Sequence, residues 1–132
     1  MTLPKDEMIA RFLDGETAGT ASNMEIRTIN GHRCIIGYGW AVYAADLIGE
    51  YALFGDGYKT RETHVGWAGY SGTTTQHLQE IKGTLEATDA PYRVVDEPLR
   101  MSKLKDGELD LEAFTAKHEV EPRETTGYLY KQ

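Results

Sequence analysis

The sequence is poor in residues that would cross-link a small protein covalently or through a metal. Only one of its 132 residues is a cysteine, Cys34, which excludes an internal disulfide and a zinc site with several cysteine ligands. Cys34 lies in the apolar run Cys-Ile-Ile, which favours a buried structural thiol over a nucleophile. No two of the four histidines have the spacing of a helical metal site. We therefore expect neither a bound metal nor a cofactor.

Long hydrophobic runs are also missing. No stretch approaches the ~20 apolar residues of a membrane-spanning helix, so we expect no interaction with a membrane. The first residues lack the basic end and the apolar centre of a signal peptide, which predicts a cytoplasmic protein. A length of 132 residues is enough for one domain with its own core.

Basic residues are few, since 14 lysines and arginines stand against 21 aspartates and glutamates, a formal net charge of −7. A protein that binds the nucleic-acid backbone needs a basic patch, so the composition disfavours direct nucleic-acid binding. Residues 106–124 contain seven acids and only two bases. Such a segment is ordinarily a solvated face, but it also suits a partner protein with a basic surface. Self-association stays open as an alternative.

The periodicity of the chain predicts an α+β domain with a mostly antiparallel sheet. Residues 1–15 predict a short N-terminal helix that Thr2 caps. Residues 24–70 alternate like strands, contain an Asn-Gly turn signal, and predict a β-meander with a loop. Residues 73–86 predict a central amphipathic helix packed on one face of the sheet. Residues 90–132 predict a short strand, a short helix or extended arm, and the acidic segment.

Three consecutive strands are expected within the meander. They cover residues 24–29, a long β-branched and aromatic run over residues 32–45, and residues 51–54. Gly37 and Gly39 lie inside the long run, where they mark a bulge or a close approach of another group to the backbone.

The densest group of hydrogen-bonding side chains stands at the predicted start of the central helix. Residues 70–77 read Tyr-Ser-Gly-Thr-Thr-Thr-Gln-His, with a threonine and the glutamine at capping-box spacing. The positive end of a helix favours anions, so Ser71 and the threonines could bind a phosphate or carboxylate. His77 could act as a general acid or base near its ordinary pKa of ~6.5. Capping explains the same hydroxyls, and His77 could equally be a boundary residue hydrogen-bonded to the sheet.

The loop before this cluster combines aromatic and charged side chains, which is more typical of functional loops than of plain linkers. Trp67 and Tyr70 are its candidate anchors for a partner. A second interpretation fits Trp67 equally well: its side chain simply covers the edge of the core.

Three segments resemble a family of small proteins encoded by bacteriophages and archaeal viruses. They are Gly-Thr-Ala-Ser-Asn-Met at residues 19–24, Ile-Ile-Gly-Tyr-Gly-Trp-Ala-Val-Tyr-Ala at residues 35–44, and the block at residues 70–77. That family shares an Ala-Ser-Asn segment, a tyrosine-containing strand ending in alanine, and a Tyr-Ser-x-Thr-Thr-x-x-His block. The resemblance covers roughly residues 18–86 and implies a viral origin and a host-cell location, but no chemistry. The positions it carries over are Ser22, Asn23, Tyr38, Tyr70, Ser71, Thr74 and His77.

Two functions follow as hypotheses. The first is a phage accessory protein in the host cytoplasm that binds and inhibits a host defence or nucleic-acid-binding protein. Its size, its acidity and the absence of nucleophile-elbow, kinase and Walker motifs favour it over an enzyme. The alternative is a small enzyme or an anion- or nucleotide-binding protein with His77 as its catalytic candidate. The candidate binding residues are Ser22, Asn23, Tyr38, Trp67, Tyr70, Ser71, Thr74 and His77.

Overall fold

A computed structural model describes residues 2–55, 72–95 and 97–121, without the side chains of residues 72–75. The elements in chain order are α1 (Lys5–Leu13), β1 (Gly19–Ala21), β2 (Met24–Ile29), β3 (His32–Gly37), β4 (Ala41–Leu47), β5 (Glu50–Phe54), α2 (Gly72–Ala87), β6 (Tyr92–Val95), β7 (Leu99–Arg100), α3 (Met101–Lys105), α4 (Leu111–His118) and β8 (Glu119–Val120). The predicted α+β class, with its N-terminal and central helices, is confirmed.

The described strands form one mostly antiparallel sheet. β1 to β5 follow each other as an antiparallel meander, and β8 pairs antiparallel with β6 at the other end. β7 pairs with the first two residues of β4. β6 lies parallel to β5, which requires a crossover connection, and α2 lies in that connection. The sequence did not predict this parallel pair.

Two-residue turns join β2 to β3 and β4 to β5. Asn30 and Gly31 have φ angles of 51° and 83°, the two left-handed residues that a type I′ turn requires. The hairpin predicted from Asn-Gly is therefore confirmed. In the second turn Gly49 has a φ of 81°, while Ile48 is almost fully exposed.

The expectation of one strand over residues 32–45 is wrong, because the chain reverses direction in the middle of that run. β3 ends at Gly37 and β4 begins at Ala41. Between them Tyr38 and Gly39 have φ angles of 53° and 75°. A tyrosine rarely adopts a left-handed φ, and aromatic residues favour strands. The sequence around Tyr38 therefore gave no signal of a turn.

The close approach expected at Gly37 is confirmed. A Cβ atom on Gly37 would lie 2.0 Å from the ring of Tyr43, far inside van der Waals contact. Only glycine fits there. The register also shifts between Ile35 and Ile36, which places a bulge just before the glycine.

α1 begins without the side-chain cap expected from Thr2. The N-cap residue is Pro4, which makes no side-chain capping hydrogen bond. Asp6 and Glu7 still place negative charge at the positive end of the helix. The helix ends just before Gly15, whose φ of 93° is typical of a C-terminal stop.

Helices cover both faces of the sheet. α1 and α2 bury one face, so the predicted packing of the central helix is confirmed. The largest side chains of this first core are Met8, Ile9, Phe12, Ile35, Tyr43, Leu53, Leu78, Ile81 and Leu85. α3 and α4 pack on the other face around Cys34, Ile36, Val42, Phe54, Val95, Leu99, Leu104 and Leu111. Among the described helices none is long and apolar enough to cross a membrane.

Candidate functional site

His77 lies on the buried face of α2, next to Leu78. Its side chain is 1% exposed, and Nδ1 lies 2.9 Å from the hydroxyl oxygen of Tyr43, which is fully buried on β4. This hydrogen bond satisfies two polar groups that would be costly to bury alone. The hydrogen bond to the sheet, one of the two interpretations of His77, is confirmed, but the residue is fully buried and does not lie at the boundary of the core.

Two tyrosine rings contact the imidazole. The ring of Tyr38 stacks on His77 with centroids 5.9 Å apart and an interplanar angle of 24°. The ring of Tyr43 is tilted, at 5.5 Å and 59°. Tyr38 is 44% exposed, so it connects the buried Tyr43–His77 pair to the surface.

Burial lowers the pKa of His77, and the positive charge of nearby Lys5 lowers that pKa further. Lys5 itself forms an ion pair with Glu80 of α2, at 3.8 Å. The expectation that His77 titrates near its ordinary pKa is therefore wrong. A neutral, buried imidazole whose Nδ1 is already bonded fits a structural role better than proton transfer to a substrate.

The structure joins Asn23, Tyr38 and His77, which come from the three separate motifs. The backbone N–H of Tyr38 donates to the carbonyl oxygen of Asn23 at 2.8 Å, tying the β1–β2 turn to the β3–β4 turn. Asn23 adopts a φ of 60°, which asparagine tolerates well. Ser22 is exposed in the same turn, outside this contact.

An open pocket of about 460 Å³ lies beside this junction. Its floor is a row of paired residues across three strands, Thr20 on β1, Glu25 on β2 and Ile36 on β3. Ile36 belongs to the second core, whereas Ala21 and Met24 of the lining belong to the first, so the lining draws on residues of both faces of the sheet. The full lining is Thr20, Ala21, Asn23, Met24, Glu25, Ile36, Tyr38 and Gly39.

Four predicted site residues cannot be placed in this geometry. Trp67, Tyr70 and Ser71 lie outside the described residues, and of Thr74 only the backbone within α2 is described. Their part in anion binding or partner binding stays a prediction.

Cys34 is buried in the second core, and burial raises the pKa of its thiol to about 12. The predicted burial of this thiol is confirmed, and a raised pKa disfavours the thiolate form that a nucleophile needs. Across the described ranges, no three side chains of the His, Cys, Asp and Glu types are grouped as metal ligands.

Sequence reasoning missed several surface residues beside the site. Glu25 lies in an alternating strand, but its place in a pocket depends on the pairing of β1, a three-residue strand too short to recognise. Trp40 is 37% exposed and carries the guanidinium of Arg100 at 4.8 Å above its ring. Because that contact spans sixty residues of chain, no local pattern indicated it.

The fold and the site together define an α+β protein in which a buried tyrosine–histidine pair supports an exposed tyrosine at the rim of a pocket. No protein-family model, curated protein or solved structure matches the chain. The resemblance to viral proteins therefore depends on the three sequence motifs alone.

Proposed function

We propose that this chain is a small viral accessory protein that inhibits a host protein by binding to its basic surface. The motif resemblance supports the viral origin, and the net charge of −7 supports a basic partner. One structural observation carries the proposal: exposed carboxylates without ion-pair partners among the described residues, from the end of α3 to the first turn of α4.

These carboxylates belong to Asp106, Glu108 and Glu112, which we call the acidic surface. All three are exposed, and none forms an ion pair or side-chain hydrogen bond with another described residue. Glu119 differs, since it lies 2.7 Å from Arg93. Asp110 differs too, because it caps α4 by accepting from the backbone of residue 113. The acidic surface can thus pair with a partner's cations without breaking any internal contact.

An aromatic anchor lies near the acidic surface. The carbonyl oxygen of Trp40 accepts the backbone N–H of Met101 at 2.7 Å, which fixes Trp40 at the start of α3. α3 has five residues, roughly 7 Å of helix, and Asp106 follows at its other end. Exposed tryptophans next to charged residues are frequent interface anchors. Carboxylates would steer the partner, and Trp40 would supply buried apolar area.

The experiment is capture of host proteins from a bacterial lysate by the purified chain and by two triple variants. Asp106→Asn/Glu108→Gln/Glu112→Gln removes the acidic surface. Asp14→Asn/Asp89→Asn/Glu97→Gln removes three other exposed acids and produces the same net charge.

We expect the wild type and the control variant to retain a defined host protein that the acidic-surface variant loses. The retained protein should also elute at raised salt, as electrostatic binding does. Capture that is equal for all three forms would contradict the proposal. So would the absence of any partner, together with turnover of a nucleotide by the purified protein.

A further inference from the structure

We propose that the pocket beside Tyr38 binds the guanidinium group of an arginine side chain. Nothing in the acidic surface is needed for this site, but the inference deepens the proposed function, since the arginine would belong to the basic partner. The site is built from an exposed aromatic ring, one carboxylate and neutral polar groups.

The charge of the lining selects a cation. Glu25 is the one carboxylate among the lining residues, and the lining contains neither lysine nor arginine. Its side chain is 29% exposed, so the surrounding protein strengthens its attraction for a cation compared with open water. The lining residues offer no positive group to an anion such as a nucleotide phosphate, and the one cation shown beside Glu25, Arg27, already pairs with that carboxylate.

The aromatic ring at the rim selects a planar cation. Tyr38 lines the pocket, one face of its ring stacks on His77, and the residue as a whole is 44% exposed. A guanidinium group stacks on such a ring and also pairs with a carboxylate through two parallel N–H bonds. An ammonium group is a strongly hydrated point charge. It stacks on an aromatic ring less well, and it cannot form two parallel N–H bonds to a carboxylate.

The site is preorganised. The backbone N–H of Tyr38 is fixed by the carbonyl of Asn23, and its ring rests on an imidazole that Tyr43 holds in place. Binding therefore requires little reordering of the ring, which saves conformational entropy. In this arrangement His77 is a positioning residue for Tyr38.

The carboxylate of Glu25 already pairs with an arginine of the same chain, Arg27. Arg27 places its Nη2 3.1 Å from Oε2 of Glu25. Arg27 is 50% exposed, and its other contact is a weak one, to the sulfur of Met101 at 3.4 Å. A loosely held side chain of this kind can swing away when a guanidinium that also stacks on Tyr38 arrives. Arg27 is thus an internal competitor.

The test is a titration of ¹⁵N-labelled protein followed by NMR. The probes are Nα-acetyl-arginine amide, the neutral isostere Nα-acetyl-citrulline amide, Nα-acetyl-lysine amide and guanosine monophosphate. We expect the arginine probe to shift the amide signals of Glu25, Tyr38 and Gly39. The citrulline and lysine probes should bind at least several-fold more weakly, and guanosine monophosphate should leave these signals in place.

Variants sharpen the assignment. Glu25→Gln should abolish the arginine-induced shifts, and Tyr38→Leu should weaken binding several-fold while Tyr38→Phe retains it. Arg27→Gln should tighten binding several-fold because it removes the internal competitor. Glu7→Gln is the matched control: it also removes a carboxylate paired to an arginine, Arg11 at 3.0 Å, and should change nothing.

Equal shifts from arginine and citrulline, shifts confined to the acidic surface, or shifts from guanosine monophosphate instead would each overturn the proposal. Weaker arginine binding in Arg27→Gln would do the same. No partner protein is used in this titration. Its failure is therefore separate from failure of the proposed function, which depends on capture through the acidic surface.

Discussion

His77 is a polar side chain held neutral inside a hydrophobic core, and this has a consequence for stability. Burial lowers its pKa in the folded state, whereas in the unfolded chain it titrates near ~6.5. As the pH falls through ~6.5, the unfolded chain takes up a proton that the folded chain does not. The free energy of unfolding must then decrease with acidification, and the contribution is fully present only above the unfolded pKa.

The corresponding variant is His77→Gln, which keeps a hydrogen-bonding group but cannot take up a proton. We expect its urea-unfolding free energy to decline less between pH 7.5 and pH 5.5 than that of the wild type. His32→Gln, which removes a histidine elsewhere, serves as the control and should keep the wild-type dependence. Identical pH profiles for the wild type and His77→Gln would show that His77 is not held neutral by the fold.

Replacing Gly37 or Gly83 by alanine tests whether the fold has room for a methyl group at that position. A methyl group at Gly37 would collide with the ring of Tyr43, which is fully buried and cannot move aside, so Gly37→Ala should destabilise the fold by about 1–3 kcal/mol.

Gly83 lies in α2, and nothing outside its own stretch of helix lies within 4 Å of the point where a methyl carbon would stand. Gly83→Ala should therefore stabilise the fold by about 0.5–1 kcal/mol, as expected for alanine in an exposed helix position. Thermal unfolding of both variants gives the signs, and a stable Gly37→Ala would contradict the close contact.

At the scale of elements, Arg33 fastens α1 to the sheet. Its Nη1 donates to the carbonyl oxygens of Phe12 and Glu16, both at 2.8 Å, and its Nη2 lies 2.7 Å from Asp46 on β4. The guanidinium also lies 4.6 Å above the ring of Phe12. One side chain thus satisfies carbonyls at the end of the helix and pairs with a neighbouring strand.

Arg33→Lys keeps the charge but loses the fork of donors, so it should lower the free energy of unfolding by about 1.5–3 kcal/mol. Amide hydrogen exchange should become faster first in α1, because that element loses its attachment. Arg11→Lys is the control, since the Arg11 side chain is 41% exposed and, within the described part of the chain, forms ion pairs with neighbours on or just after its own helix. A loss as small as that of the control would show that the Arg33 contacts carry little energy.

Local patterns predicted the elements that local physics determines. Helical spacing of apolar residues gave α1 and α2, and Asn-Gly gave the β2–β3 hairpin. The reversal at Tyr38 was missed because its left-handed backbone is stabilised by a bond to Asn23, fifteen residues away. The parallel β5–β6 pair depends on contacts formed only after the crossover is complete, and no residue pattern encodes it.

Only part of the candidate site was predicted, again because local patterns do not show which distant residues the fold brings together. Asn23, Tyr38 and His77 were named from motifs, and the structure brings them together. The pocket floor was missed because Thr20 and Glu25 become neighbours only through the register of β1 against β2. The hydrogen bond of His77 to the sheet was one of two predicted roles, but its depth of burial was not predicted, since a histidine near a helix start gives no sign of how deeply it is buried.

At the scale of the whole molecule, the acidic surface should cost stability that its binding role would explain. Asp106 follows the C-terminal end of α3, where negative charge is unfavourable, whereas Glu112 in the first turn of α4 is favourable. The interactions of these two carboxylates with the helix dipoles therefore oppose each other. What remains is the repulsion of these three carboxylates by one another and by Asp110, four carboxylates within seven residues, in a chain whose net charge is −7.

Removing these carboxylates should therefore stabilise the fold while it abolishes partner capture. We expect Asp106→Asn/Glu108→Gln/Glu112→Gln to melt above the wild type in 20 mM salt, with the gap closing in 0.5 M salt as screening shortens the range of the repulsion to about 4 Å. Asp14→Asn/Asp89→Asn/Glu97→Gln removes the same charge from scattered positions, so its gain should be smaller. A triple variant of the acidic surface that melts below the wild type at low salt would mean that these carboxylates serve the fold. The binding role proposed for them would then lose its structural support.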